Sequence, residues 1–154
     1  MQAGVTATGL TNATALGYNA QVTTSNSLVL GGIGANAVNV GIGTTAPAST
    51  LEVNGFTMLG SNAPAIKMLK FTGTTSALQG GAANIAHGLS PAKILSVSVE
   101  VEHFPGNWLK HGFTNLPGYE FNVSYNTSIN VINVNGNSAF ILGKPLKILI
   151  IYEQ

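Results

Sequence analysis

The sequence predicts an all-β chain in two parts: a short series of parallel repeating coils, then an antiparallel β-sandwich. Three observations predict this. NATALG (12–17) and NSLVLG (26–31) are two copies of one phrase set 14 residues apart, with Asn12 matching Asn26, Leu16 matching Leu30 and Gly17 matching Gly31. A short fixed period ending in Gly marks a coil that repeats along an axis. From Ile66 onward the chain changes to longer runs in which apolar and polar residues alternate, the period of half-buried strands. That second part shows no helical period.

The coils occupy 1–44, a segment of small and aliphatic residues with Gly at 4, 9, 17, 31, 32, 34, 41 and 43. In a strand, Thr14 and Leu16 point to one side and Ala13 and Ala15 to the other; Leu28 and Leu30 oppose Ser27 and Val29. Both faces are small or apolar, unlike a solvated strand. One face is expected to line the coil and the other to pack on neighbouring chains, because a single coil cannot bury a core. NVGIG (39–43) reads as a third, looser copy. Ordinary hairpins in a globular domain are the alternative, and the matched Asn and Gly positions speak against them. Residues 45–65 read as a joint: Pro47 and Pro64 cannot donate to a central ladder, LEV (51–53) is a short strand, and Asn54-Gly55 is a turn.

Residues 66–154 read as the sandwich. IKMLKF (66–71) is its first strand. ILSVSVEVE (94–102) turns Leu95, Val97, Val99 and Val101 inward and Ser96, Ser98, Glu100 and Glu102 outward. YEFNVSY (119–125) turns Tyr119, Phe121, Val123 and Tyr125 inward, and SINVINV (128–134) follows a tight connection at Asn126-Thr127. LKILIIY (146–152) is apolar on both faces and so belongs at the centre of a sheet. Lys67, Lys70, Lys93 and Lys147 are placed to guard strand ends against edge pairing.

Composition excludes much chemistry. The 154 residues contain no Arg, Asp or Cys, and the only ions are six Lys and five Glu. A Ser-His-Asp triad, a bidentate Arg clamp, thiolate metal sites and disulfides are therefore ruled out. Near-zero net charge leaves no footprint for nucleic acid, and no apolar run reaches the length of a membrane span. The opening residues lack a signal-peptide pattern, and the pattern starts as if cut from a longer chain.

TNATALGYNAQVTTSNSLVLGG (11–32) resembles the head repeats of trimeric autotransporter adhesins. VNVGIGTTAPASTLEVNG (38–55) resembles the segment joining such rolls to the C-terminal domains of phage tail fibres, and NIAHGLSPAKILSVSV (84–99) is similar to a phrase of tail-fibre tips. The resemblance implies a left-handed parallel β-roll of three chains followed by a receptor-binding tip. The implied partners are two further copies of the chain, an upstream fibre or baseplate protein, and a bacterial surface receptor; the implied location is the virion or the cell exterior. A bacterial adhesin head is the alternative, and a polysaccharide-degrading tail spike, disfavoured by the few carboxylates and the short length, is the third reading. The strand-like ending at Tyr152-Glu153-Gln154, without an anchor, favours the fibre. The catalytic Ser and Lys of tail-spike chaperones are not apparent, and no cofactor is expected.

The best site candidate is HFPGNWLKHGFTNLPGY (103–119), read as a long loop stiffened by Pro-Gly turns at 105–106 and 117–118. It holds His103, Phe104, Asn107, Trp108, Lys110, His111, Phe113 and Tyr119, including the only Trp. Aromatic rings beside Asn and His side chains suit a sugar, whose C–H face stacks on the ring. The competing role for Trp108 is packing between protomers or into the core. The 72–83 loop is next in line. Glu100 and Glu102, with Cα atoms roughly 7 Å apart on one strand face, resemble a glycosidase pair in spacing, but neighbours on one strand seldom flank a bond from both sides. No catalytic residue is assigned. His87, in the HGL turn, reads as structural with its imidazole bonded to backbone, while His103 and His111 read as exposed. No pairing of the three histidines favours a metal. The Gly-rich stretches 31–37 and 77–84 lack the Lys-Ser/Thr ending of phosphate loops, and the sequons at Asn12, Asn122 and Asn126 read as incidental.

Overall fold

A computed structural model describes residues 4–5, 8–112 and 117–154. The chain is all-β, with 49% of residues in strands and 6% in helix. It divides into two compact units, Met1–Gly55 and Phe56–Gln154. The division falls inside the segment expected to be a joint.

The first unit contains β1 (Gly4–Val5), β2 (Ala13–Leu16), β3 (Gln21–Val22), β4 (Ser27–Leu30), β5 (Val40–Ile42) and β6 (Leu51–Val53). Its strands pair in parallel: β1 with β3, β2 with β4, and β5 with β6. The β2–β4 register sets Ala13 against Ser27 and Leu16 against Leu30, so the sequence repeat is the pairing register. The two matched residues at the ends of the phrase carry the turns. Asn12 and Asn26 have φ of 51° and 56°, and Gly17 and Gly31 have φ of 114° and 77°. Asn tolerates that left-handed region better than other residues with a side chain, and Gly enters it freely. The Asn12 amide donates to the Asn26 amide oxygen at 3.1 Å, stacking one turn on the other. The backbone continues the ladder, with the Asn26 N–H donating to Thr11 O and the Gly31 N–H to Leu16 O. Gly31 is also held by space, since a Cβ there would collide with Val38.

Ala20 and Val22 are buried in this unit, and Ala13, Ala15, Ser27 and Val29 are half-buried. The opposite face stands open: Leu16, Leu28 and Leu30 are 65%, 63% and 43% exposed. The third copy departs from the expected series. NVGIG pairs through Val40–Ile42 with LEV, so the strand assigned to the joint belongs to the first unit. The loop between them is tied by the Asn39 amide donating to Pro47 O and the Ala48 N–H donating to the Glu52 carboxylate at 2.7 Å.

The second unit contains β7 (Thr57–Met58), β8 (Ala65–Thr74), β9 (Ala82–Ala86), β10 (Ile94–Phe104), β11 (Asn107–Lys110), β12 (Phe121–Tyr125), β13 (Ser128–Asn133) and β14 (Pro145–Glu153). Two antiparallel sheets result, a five-stranded one in the order β11-β10-β14-β8-β7 and a three-stranded one in the order β12-β13-β9. The strand that is apolar on both faces, β14, is the central one, as its composition requires. Both sheets feed one hydrophobic cluster: Val99, Val101, Leu146, Ile148 and Ile150 from the larger, Phe121, Ile129 and Val131 from the smaller, with Ile94 and Ile141 at the ends.

Two inward assignments are corrected. Leu95 is exposed and Ile94 is buried in its place. The β10–β14 register shifts between Ile94 and Ser96, and such a bulge turns the extra residue out of the alternation. Tyr125, at the end of β12, is also exposed, beyond the reach of the cluster.

Candidate functional site

The segment 103–119 is not one long loop. β10 runs through His103 and Phe104, turns at Pro105-Gly106, and returns as β11 to make a hairpin in which Glu102 faces Trp108 and Glu100 faces Lys110. Gly106 sits at φ 79°, which the turn needs and which few other residues adopt. The Gly106 N–H donates to the Glu102 carboxylate at 2.6 Å, and the ring of His103 bonds Asn107 O through Nδ1 at 3.2 Å. Phe113 lies outside the described residues.

The hairpin separates the candidate residues into two groups. Trp108 and Lys110 belong to the outer face of the five-stranded sheet. There the Lys147 ammonium stands 4.2 Å from the centre of the Trp108 ring and 2.7 Å from a Glu100 carboxylate oxygen. Trp108 is thus half-buried with a cation over it, rather than an open platform. Glu100 and Glu102 are both engaged, one by Lys147 and the other by Gly106.

His103, Phe104 and Tyr119 form the second group. Their rings touch in series, Phe104 to His103 at 4.6 Å and His103 to Tyr119 at 5.3 Å, and Tyr119 stacks on Phe140 at 5.0 Å. His103 is therefore half-buried between rings, which corrects its expected exposure; the packed rings shield it from water. His111 and Asn107 are exposed. The ends of the series are open, with Phe104 59% and Phe140 57% exposed. Sequence reasoning missed Phe140. Its place follows from Gly118, whose N–H donates to the Asn137 side-chain oxygen, whose O accepts from the Phe140 N–H, and whose missing Cβ leaves room for the Phe140 ring. The Pro117-Gly118 pair was the available signal, read only as a turn.

Other candidates prove structural. His87 is buried; its Nδ1 accepts from the Leu89 N–H at 3.1 Å, so Nε2 carries the proton and donates to Asn126 O at 2.8 Å. In the 72–83 segment, the buried Thr75 hydroxyl donates to Ile141 O and accepts from the Lys144 N–H, while Ser76 O accepts from the buried Asn133 amide and from the Gly143 N–H. That loop is stapled to its neighbours. Among the described residues, no three His or Glu side chains come together as a metal-holding group, and no helix is long and apolar enough to cross a membrane.

Two clefts lie along the β10–β14 seam. Lys70, Ser98, Glu100, Lys147, Ile148 and Leu149 line one of about 260 Å³. Glu102, His103, Phe104, Pro105, Lys144 and Pro145 line the other, of about 180 Å³. Comparison with protein-family models, curated proteins and solved structures gives no match to this chain.

Proposed function

We propose that the chain is the C-terminal part of a homotrimeric tail fibre, of a phage or a phage-like injection machine, that attaches to a bacterial surface. The first unit serves as a short left-handed parallel β-roll shared by three chains. The second serves as a β-sandwich tip that binds a surface receptor, a glycan above all. An upstream fibre or baseplate protein holds the assembly, which works on the virion or outside the cell, without nucleic acid, membrane insertion or cofactor. The protein is a binder rather than an enzyme.

The observation that carries this reading is the open face of the β2–β4 ladder. A repeat that stacks in register yet leaves Leu16, Leu28 and Leu30 in water is built to be covered. Covering the exposed part of each Leu contributes roughly half of the 1.5–3 kcal/mol that full burial brings, and an exposed row of this kind marks an interaction surface. Identical chains around one axis cover it with the same face three times. The exposed rings of Phe104 and Phe140 supply stacking surfaces for a receptor.

The test is binding of the labelled chain to a panel of bacteria. Selective attachment is expected, reduced by Phe104→Ala combined with Phe140→Ala. A chain that attaches to no bacterial surface contradicts the reading. So does release of reducing ends from surface polysaccharide that is lost in Glu100→Gln.

A further inference from the structure

The chain has only six lysines, and four of them, Lys70, Lys110, Lys144 and Lys147, lie along the β10–β14 seam or beside it. The two glutamates among them are already engaged: Glu100 pairs with Lys147, and Glu102 accepts from the Gly106 N–H. An excess of two positive charges therefore gathers around one strand seam of a chain whose net charge is only +1. Lys70 and Lys110 are exposed, and neither enters an ion pair among the described residues.

Register explains the gathering. Lys110, Glu100, Lys147 and Thr72 are consecutive cross-strand partners, and one step along the sheet Ser98, Leu149 and Lys70 are partners in the same way. The first cleft thus presents an apolar floor at Leu149, a hydroxyl at Ser98, an acceptor at Glu100 and an unpaired ammonium at Lys70. Farther along the same two strands, the second cleft offers the Phe104 ring and Lys144.

We propose that this seam binds an acidic polysaccharide, with a uronic-acid unit in the first cleft and the sugar chain running along the seam toward the second. The Lys70 ammonium takes the carboxylate. Ser98 and Glu100 bond hydroxyls, and the sugar's C–H face lies on Leu149. At about 260 Å³ the first cleft is smaller than the pockets of about 300–1,000 Å³ that enclose drug-sized ligands, which suits one sugar unit. Lys70 and Lys147 against Glu100 leave the first cleft a net charge of +1, which one carboxylate balances and a doubly charged phosphate exceeds. With no Arg in the chain, lysines act as point charges, so affinity depends on the summed field rather than on a bidentate fork. The proposal rests on the receptor-binding reading and names its ligand class.

The experiment titrates the full chain with trigalacturonic acid and, separately, with its neutral methyl ester, followed by ligand-observed NMR. Binding of the acid is expected, weakening as sodium chloride is raised, with little binding of the ester. Lys70→Gln should weaken the acid by about threefold while leaving assembly mass and melting temperature unchanged; Lys110→Gln is the second variant. Equal binding of acid and ester, insensitivity to salt, full affinity in both variants, or no binding of the acid each overturns the proposal. Attachment of the wild-type chain to bacteria separates the two failures. If it attaches yet ignores the acid, only the uronic-acid assignment falls; if it attaches to nothing, the receptor-binding reading falls.

Discussion

The two units solve the burial problem in opposite ways. In Phe56–Gln154, two antiparallel sheets bring Val99, Leu146, Ile148, Ile129 and Val131 into one cluster, and that unit closes its own core. In Met1–Gly55 the described core is Ala20 and Val22, while the larger Leu side chains face out. Parallel pairing in register turns like residues to the same side, so a repeat with Leu in its outward positions builds an apolar stripe instead of an interior. The contrast teaches that the same residue types, Leu and Val on strands, make a self-sufficient core or an open apolar stripe according to the pairing they are given.

The sharpest way to break this comparison is to separate the units. Residues 56–154 alone should fold, with a cooperative melt, whereas 1–55 alone should not; circular dichroism of the two pieces checks this. Next in size is a single substitution in either apolar set. Leu30→Asp should leave the second unit folded but abolish assembly, costing several kcal/mol per chain, on the order of burying an unpaired ion. Ile150→Ala should do the reverse, destabilising the second unit by about 2–5 kcal/mol without preventing association at low temperature. Chemical denaturation alongside light scattering reads both.

Smaller effects sharpen the account of each unit. Asn26→Ala loses the amide ladder and forces a Cβ-bearing residue without a polar side chain into φ 56°, an expected cost of about 1–3 kcal/mol. His87→Ala removes both a donor and an acceptor from a buried turn, at about 1–3 kcal/mol. Trp108→Ala is the smallest, losing a cation contact worth about 0.5–2 kcal/mol. Its melting temperature should shift by a few degrees at most, so a strong loss of attachment to bacteria in this variant reads as loss of recognition.

What was legible in the sequence was whatever is periodic or local. The 14-residue spacing is the β2–β4 register itself, and the Asn and Gly that end each copy are the residues its turns need. LKILIIY announces a central strand because both its faces are apolar, and the HGL phrase confines His87 to a turn. What was not legible depends on pairing between distant segments. The return strand at Asn107–Lys110 was read as loop because four residues beside Pro-Gly carry too little alternation. The Leu95 bulge is set by the partner strand, β14, and not by β10's own pattern. The Trp108–Lys147 contact and the stacking of Phe140 on Tyr119 join residues that no local spacing relates. Of the candidate site, the residue types were legible and their grouping was not.

Everything proposed for the first unit requires that copies of the same chain cover the open Leu face. Native mass spectrometry of the intact chain at micromolar concentration measures this directly. The expected result is a species at three times 15.8 kDa, lost in Leu30→Asp and retained in Trp108→Ala. A folded monomer at that concentration, with Leu16, Leu28 and Leu30 left in water, contradicts it.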